Sequence, residues 1–457
     1  MSLTYDFSLS QMVDIVMDKW GETAIAENLF LRDASGRLTF VVLDASRSGV
    51  QREALSAIIN NELGAYADPS GISVATPDEL FDETLNDLSL GTKFPIKGAL
   101  YEGHVRLLDR RVVGADWLRA PAKESPTIPR LFFVSLKGGV GRSTALCVLA
   151  AHLATIGLRV LAVDLDLEAP GLGTMLLDPD TTPKFGVLDY LVETNVGEVD
   201  DKFVADMLGP SQLASGRGAV TVIPALGSVA TEYPENVLSK IARAYLPSDN
   251  DSGLASFTAK IEKLLDVVVS SNNYDVVLVD ARAGLHESTA AAAVSLRGET
   301  LLFGMNQPQT YAGYRALFSQ LSVTLGTEWV NHLHLVEARV GANGPTSDFL
   351  SNMVGIMPSP RGPSEPLGIP FDQLRENFAV EWDETIPDSE SDALLDPEID
   401  STFIYESEMF HGFDPLKHPD RLDRGVYSIV FESFLARCEE ILESEDLALA
   451  ESNYAER

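Results

Sequence analysis

Ten residues restrict the fold of this chain more than any others: Ser135-Leu136-Lys137-Gly138-Gly139-Val140-Gly141-Arg142-Ser143-Thr144. They follow an apolar strand-like run, Leu131 to Ser135, and open a helical pattern from Ser143 to Ile156. Glycines at this spacing let the backbone curl, so that successive N–H groups point inward at an anion. The start of the following helix adds the positive end of its dipole. Arg142 brings a full charge, Ser143 a hydroxyl suited to Mg²⁺, and Thr144 a hydroxyl suited to a phosphate oxygen. The alternative, a bare glycine turn between strand and helix, leaves that set of polar groups without a purpose.

The surrounding sequence alternates in the same way. Arg159 to Asp164, Ala219 to Pro224, Asp275 to Asp280, Glu299 to Gly304 and Leu333 to Val340 have strand character. Ser256 to Ser270 and Tyr311 to Leu321 have helical spacing between them. Strands alternating with helices predict an α/β domain, a mostly parallel sheet with helices on both faces. Ligands of such sheets bind at the carboxyl ends of the strands.

Two further stretches bear on the chemistry. Val163-Asp164-Leu165-Asp166-Leu167-Glu168-Ala169-Pro170-Gly171-Leu172 places two carboxylates at a strand end. Tyr274-Asp275-Val276-Val277-Leu278-Val279-Asp280-Ala281-Arg282-Ala283-Gly284-Leu285 runs four apolar residues into Asp280, a carboxylate able to hold Mg²⁺ through its water shell. Taken in order, the three stretches resemble the deviant Walker A ATPases of the MinD/ParA family, whose loop reads KGGxGK[ST][ST]. Arg142 stands at the second lysine of that pattern, as in a subgroup with a KGGVGR loop.

The resemblance covers roughly residues 130–340 and implies a P-loop NTPase domain binding ATP and Mg²⁺. Lys137 matches the signature lysine, which in the family reaches the nucleotide of a partner subunit. Gly138, Gly139, Val140, Gly141, Arg142, Ser143 and Thr144 match the phosphate loop. Asp166 matches the water-positioning residue, so Lys137 and Asp166 are the expected catalytic pair. Ser143, Asp164 and Asp280 are the expected metal-side residues, with Asp164 either structural or near Mg²⁺. Gly284 falls in the second switch. Arg282 is a charge-stabilising group or, the favoured reading, a surface ion-pair partner. The family commonly reads adenine with an Asn near a late strand, but Leu335 to Val340 has none. Asn306, in Gly304-Met305-Asn306-Gln307-Pro308, is the nucleotide-pocket candidate instead.

Composition narrows the function classes. The chain has 457 residues, 68 acidic and 34 basic, for a formal charge of −34. That charge opposes binding to nucleic acid and to anionic lipid, which counts against a DNA-partition role. No stretch is long and apolar enough for a membrane span, since Ala145 to Val163 holds His152, Thr155 and Arg159. A C-terminal pattern from Gly425 to Glu445 is amphipathic but acidic on its outer face, unlike a membrane-surface helix. The first residues lack the pattern of a secretory signal, and Cys147 and Cys438 lie far apart in sequence. A cytoplasmic, disulfide-free protein is the expectation. His332 and His334 share a strand face without a third ligand at metal spacing, and His286 stands alone.

The division expected from sequence has four parts. Residues 1–117 form a small N-terminal α/β domain, with a hairpin of His104 to Leu108 and Arg111 to Val113. Residues 118–130, with prolines at 121, 126 and 129, form a linker. Residues 131–356 form the ATPase domain. Residues 357–457 form an acidic C-terminal extension with one amphipathic helix, including nine acidic residues and no basic one from Glu381 to Asp400. The leading functional expectation is a slow ATPase whose ATP state is a homodimer that signals to a protein partner, with an operon-encoded antiviral defence or regulatory system as its setting. A non-hydrolysing scaffold or sensor is the alternative.

Overall fold

A computed structural model describes residues 3–43, 47–111, 113–118, 126–213, 217–250, 253–326, 328–357 and 401–455. Chain contacts divide these residues into two compact units, one ending at Leu118 and the other holding the rest. The stretch Glu381 to Asp400 lies outside the described residues.

The first unit is a five-stranded sheet. Its strands are β1 (Leu29–Arg32), β2 (Leu38–Val41), β3 (Val74–Ala75), β4 (Thr92–Lys97) and β5 (Glu102–Asp109), in the order β3-β2-β1-β5-β4. Helices α1 (Tyr5–Trp20) and α2 (Gly49–Leu63) supply Met12, Val13, Val16, Leu55 and Ile59 to its core. Ser48 caps α2 in a reciprocal pair with Gln51.

The hairpin expected at Asp109-Arg110 does not form. β5 instead turns back on β4 through residues 98–101, and pairs in parallel with β1. Asp14 on α1 fixes that turn, because its carboxylate accepts from the N–H groups of Ala99, Leu100 and Tyr101. β4 carries Pro95, which an edge strand tolerates because one of its rows of N–H groups has no partner strand.

The second unit is built on eight strands. These are β6 (Arg130–Ser135), β7 (Arg159–Asp164), β8 (Gly209–Pro210), β9 (Ala219–Ile223), β12 (Val276–Asp280), β13 (Glu299–Gly304), β14 (Leu333–Val340) and β15 (Ser401–Tyr405). A separate small hairpin joins β10 (Ser248–Asn250) to β11 (Gly253–Ala255). The order in the main sheet is β15-β14-β13-β6-β12-β7-β9-β8, parallel throughout except at β8. Near-continuous burial along β6, β12 and β13 is what a sheet covered on both faces requires.

Helix α3 (Arg142–Ile156) is apolar on almost every side and lies in the main core. Helices α4 (Phe257–Ser271) and α5 (Pro308–Leu325) follow, each within a turn of its expected position. Helix α6 (Arg424–Ala455) packs against β15 and α3.

The last element pair changes the expected division. β15 extends the main sheet, and α6 delivers Phe434, fully buried, to Phe133 of β6 and Phe303 of β13 at ring separations of 6.3 and 5.8 Å. His152 of α3 bonds Tyr427 (3.0 Å) and Glu439 (2.7 Å) of α6. Residues 401–455 are therefore part of the main sheet unit. The apolar face of α6 has its partner in the sheet, while its acidic face remains outward. Cys147 and Cys438 share this core as thiols, and burial pushes both of their pKa values up.

Candidate functional site

The glycine loop leaves β6 at Ser135 and enters α3 at Arg142, at the carboxyl end of a central strand. Gly139 and Gly141 have φ of +76° and +88°, a region in which an L side chain is strained. A Cβ at either would meet nothing within 4 Å, so backbone conformation is what demands glycine there. No side chain caps the N-terminus of α3, and its first turn contains no acidic residue. Its leading N–H groups and dipole face the loop. Val140, buried, anchors the loop in the core, while Gly138 and Gly139 are exposed. Thr144 is half-buried in the first turn of α3.

Residues of all three motif stretches converge here. Ser143 donates its hydroxyl to Asp280 Oδ2 at 2.5 Å. Arg142, buried, donates through Nε to Asp280 Oδ1 and through a terminal nitrogen to Ser135 Oγ at 2.9 Å. Its other terminal nitrogen lies 3.6 Å from Asp166 Oδ2. Arg142 thus ties the start of α3 to the ends of β7 and β12. The pattern supplied its charge, but its partner Asp280 lies 138 residues away and is visible only in the fold.

The two aspartates after β7 differ. Asp164 is fully buried and accepts from the N–H groups of Asp166, Gly171 and Leu172, each at 3.0 Å. Its carboxylate frames the loop, and both oxygens are taken. Burial, then the charge of Asp280, pushes its pKa up to about 7. Of the expected metal-side set, Ser143 and Asp280 are placed together, and Asp164 is occupied as a scaffold. Asp166 keeps Oδ2 toward Arg142, while Oδ1 accepts from Ala169 at 3.1 Å. Burial raises its pKa, against the pull of the Ala169 N–H and Arg142.

Ser143 and Asp280 fit Mg²⁺ by donor chemistry, both offering hard oxygen. Among the described residues no group of three or more His, Cys, Asp or Glu could hold a metal alone. A metal at this pair would have to complete its shell from phosphate and water, the usual arrangement for Mg²⁺.

The stretches that follow β7 and β12 are bridged by a cluster that sequence reasoning missed. Arg282 pairs with Glu168 at 2.6 Å, which agrees with its favoured reading as an ion-pair partner. Tyr245 donates its hydroxyl to the same Glu168 oxygen at 3.0 Å, and its ring meets that of His286 edge-on. Burial and then the Arg282 charge lower the His286 pKa to about 4, so the imidazole is neutral. Glu168 Oε2 and His286 Nδ1 are buried without a hydrogen-bond partner. No motif signals this cluster, because Tyr245 lies outside every recognised stretch. Thr289 donates to the carbonyls of Arg282 and Gly284, and Gly284 N–H donates to Ser135 O, so the second switch is pinned to β6.

Lys137 Nζ donates to Gln307 Oε1 at 3.4 Å, on the β13 side of the loop. Asn306, next to it, accepts from the Tyr311 hydroxyl (2.6 Å) and donates to Thr346 (3.3 Å). It lines a cavity of about 470 Å³ at the carboxyl ends of β13 and β14. His332 and His334 both donate to Glu299 at the opposite end of the sheet. No helix of the described residues is long and apolar enough to cross a membrane.

Residues 131–295 match the CobQ/CobB/MinD/ParA nucleotide binding domain. An iron-sulfur cluster carrier protein of Pseudomonas fragi is 30% identical over 174 residues, and the match spans 36% of this chain and 60% of that protein. The MinD cell division protein of Aquifex aeolicus overlays with a TM-score of 0.40 at 16% identity, covering 68% of this chain and 97% of that one. The cell division ATPase MinD of Pyrococcus furiosus gives 0.38 at 19%, covering 69% and 98%. The glycine loop and the strands that carry Asp164 and Asp280 all lie within residues 131–295, the stretch similar to the CobQ/CobB/MinD/ParA nucleotide binding domain.

Proposed function

We propose that the chain binds Mg-ATP at the Gly138–Thr144 loop, hydrolyses it slowly, and uses the nucleotide state to make and break a homodimer that signals to a protein partner. The observation that carries this reading is the convergence of Arg142, Ser143, Asp166 and Asp280 at the glycine loop. The loop N–H groups and Arg142 would hold the phosphates, and Ser143 with Asp280 the metal. A bound Mg²⁺ would supply neutralising charge to the phosphate oxygens. Asp166, at the end of β7, would orient water. Lys137, outside the tight turn, would reach across to a second subunit.

The inward pairing of Arg142 with Asp280 supports the alternative, a nucleotide sensor with little turnover. An arginine held by a buried carboxylate is a fork already in use, whereas a lysine presents a free-turning point charge. Light scattering with ADP and with a non-hydrolysable ATP analogue tests the switch. The expected result is a mass doubling with the analogue only, weakened in Lys137→Ala while monomer affinity stays near wild type. A wild type of constant mass replaces the switch with the scaffold reading, as does undetectable turnover.

A further inference from the structure

Resting on that nucleotide reading, we propose that Arg282 is a further catalytic residue. Beyond its ion pair, it neutralises the charge that builds on the terminal phosphate during hydrolysis, and Glu168 positions it for that task.

The need arises at Arg142. Each of its three side-chain nitrogens is already directed at a protein oxygen, Nε at Asp280, one terminal nitrogen at Ser135 and the other toward Asp166. It brings a fixed charge to the loop and leaves no nitrogen uncommitted to follow an oxygen whose charge grows. Hydrolysis makes that demand. The water oxygen bonds to the γ-phosphorus while the bond to the β,γ-bridging oxygen breaks. The bridging oxygen keeps the electron pair and leaves with ADP, and both water protons stay with the released phosphate. Charge shifts among the phosphate oxygens on the way, and catalysis is largely its neutralisation.

Arg282 is a cation with donors in hand. It lies two residues beyond Asp280, the last residue of β12. Its backbone is fixed, since the N–H donates to Ser288 Oγ at 3.1 Å and the carbonyl accepts from Thr289 Oγ1 at 2.9 Å. Two residues on, the Gly284 N–H donates to Ser135 O at 2.9 Å, where the glycine loop begins. The Arg282 side chain is 33% exposed and reaches Glu168 Oε1 through one terminal nitrogen. Nε and the other terminal nitrogen have no partner among the described residues. Its charge also reaches the expected water-positioning residue: burial raises the Asp166 pKa, and Arg142 and Arg282 both pull it down.

The ion pair is one-sided. An arginine and a carboxylate that only hold each other often close two parallel bonds. Here the Tyr245 hydroxyl shares Glu168 Oε1, while Oε2 is buried without a partner. Tyr245, just after the helix Val237–Ala244, thus steadies Glu168, which holds Arg282 by one corner and leaves the rest of the fork open. The neutral His286 ring packs against Tyr245 and adds no competing charge.

The test uses the full chain with Mg²⁺ and reads turnover at saturating ATP, affinity for ADP, and affinity for ADP with aluminium fluoride, a mimic of the phosphoryl group in transfer. Arg282→Ala should lower turnover at least about 100-fold and weaken the aluminium fluoride complex, with ADP affinity within a few-fold of wild type. Free guanidinium ion, at concentrations well below those that unfold proteins, should restore part of the turnover of Arg282→Ala and none of that of Asp166→Ala. Glu168→Ala should lower turnover by less than Arg282→Ala, again with ADP affinity kept; faster turnover there overturns its positioning role. Turnover of Arg282→Ala within a few-fold of wild type overturns the proposal. So does a loss that guanidinium does not restore, because Arg282 is then a structural tie. A wild type that binds Mg-ATP without hydrolysing it also overturns the proposal. A wild type that binds no nucleotide overturns the phosphate-loop reading itself, a separate failure.

Discussion

Phe434→Ala tests whether α6 is structurally part of the nucleotide domain. Phe434 is fully buried and meets the rings of Phe133 and Phe303, residues of the two strands that flank the loop's exit from the sheet. Removing a buried Phe costs about 3–5 kcal/mol, including about 0.5–1.5 kcal/mol for each aromatic pair. At about 1.4 kcal/mol per decade, amide exchange along Arg130–Ser135 should speed up by two to three orders of magnitude. Ile429, on the same helix but 74% exposed, is the control, and Ile429→Ala should stay within about 0.5 kcal/mol. Hydrogen exchange read by mass spectrometry on peptides covering β6, together with urea unfolding, measures both. If Phe434→Ala affects β6 no more than Ile429→Ala does, the C-terminal helix is an appendage and its packing against the sheet contributes no stability.

Other substitutions isolate other elements. Arg142→Ala should weaken Mg-ATP binding by about 1.5–3 kcal/mol in calorimetry, and should lower the melting temperature even without nucleotide, because the buried Asp280 loses the cation paired with it and keeps only the Ser143 hydroxyl; unchanged affinity removes Arg142 from the phosphate site. Asp166→Ala should reduce turnover more than ATP affinity, as a transition-state role requires; equal losses make it a structural residue. Glu299 predicts an acid limb in stability. Burial raises its pKa, but the hydrogen bonds from His332 and His334 win and hold it at about 2, against an ordinary value of 4.5. Arg437 faces the far side of His334 at 3.5 Å. The native state then binds fewer protons than the unfolded chain between those two values, so this stabilisation is complete above about pH 4.5 and is lost as pH falls toward 2. Melting curves from pH 6 to 3 should fall more steeply in wild type than in Glu299→Gln, and parallel slopes would refute the assignment.

The nucleotide domain was legible wherever local sequence carries the information. β7, β13 and β14 begin and end where the sequence pattern places them; β7 and β13 are buried along almost their whole length, so little polar alternation blurs their limits. The glycine loop is legible because its φ angles allow few other residues. β15 was not, since five residues following an acidic stretch carry too little pattern, and its place depends on an open edge of β14. The inward turn of Arg142 and the Glu168 cluster join residues far apart in sequence, and the three N–H bonds of Asp164 depend on how the loop after β7 folds back. No local pattern encodes them.

The late arrival of β15 and α6 has a temporal consequence. About 300 residues separate Phe133 from the Phe434 that covers it. At roughly 5–20 residues per second, a ribosome needs on the order of 15–60 s to make that stretch. Isolated helices and hairpins form in microseconds, so the strands around the loop will have collapsed long before their cover exists. Until then the nascent chain carries a raw apolar sheet face with β14 as an open edge, the surface that invites aggregation or capture by a chaperone. A ribosome stalled near residue 400 would hold such a chain, with the glycine loop already synthesised and the face behind it still bare.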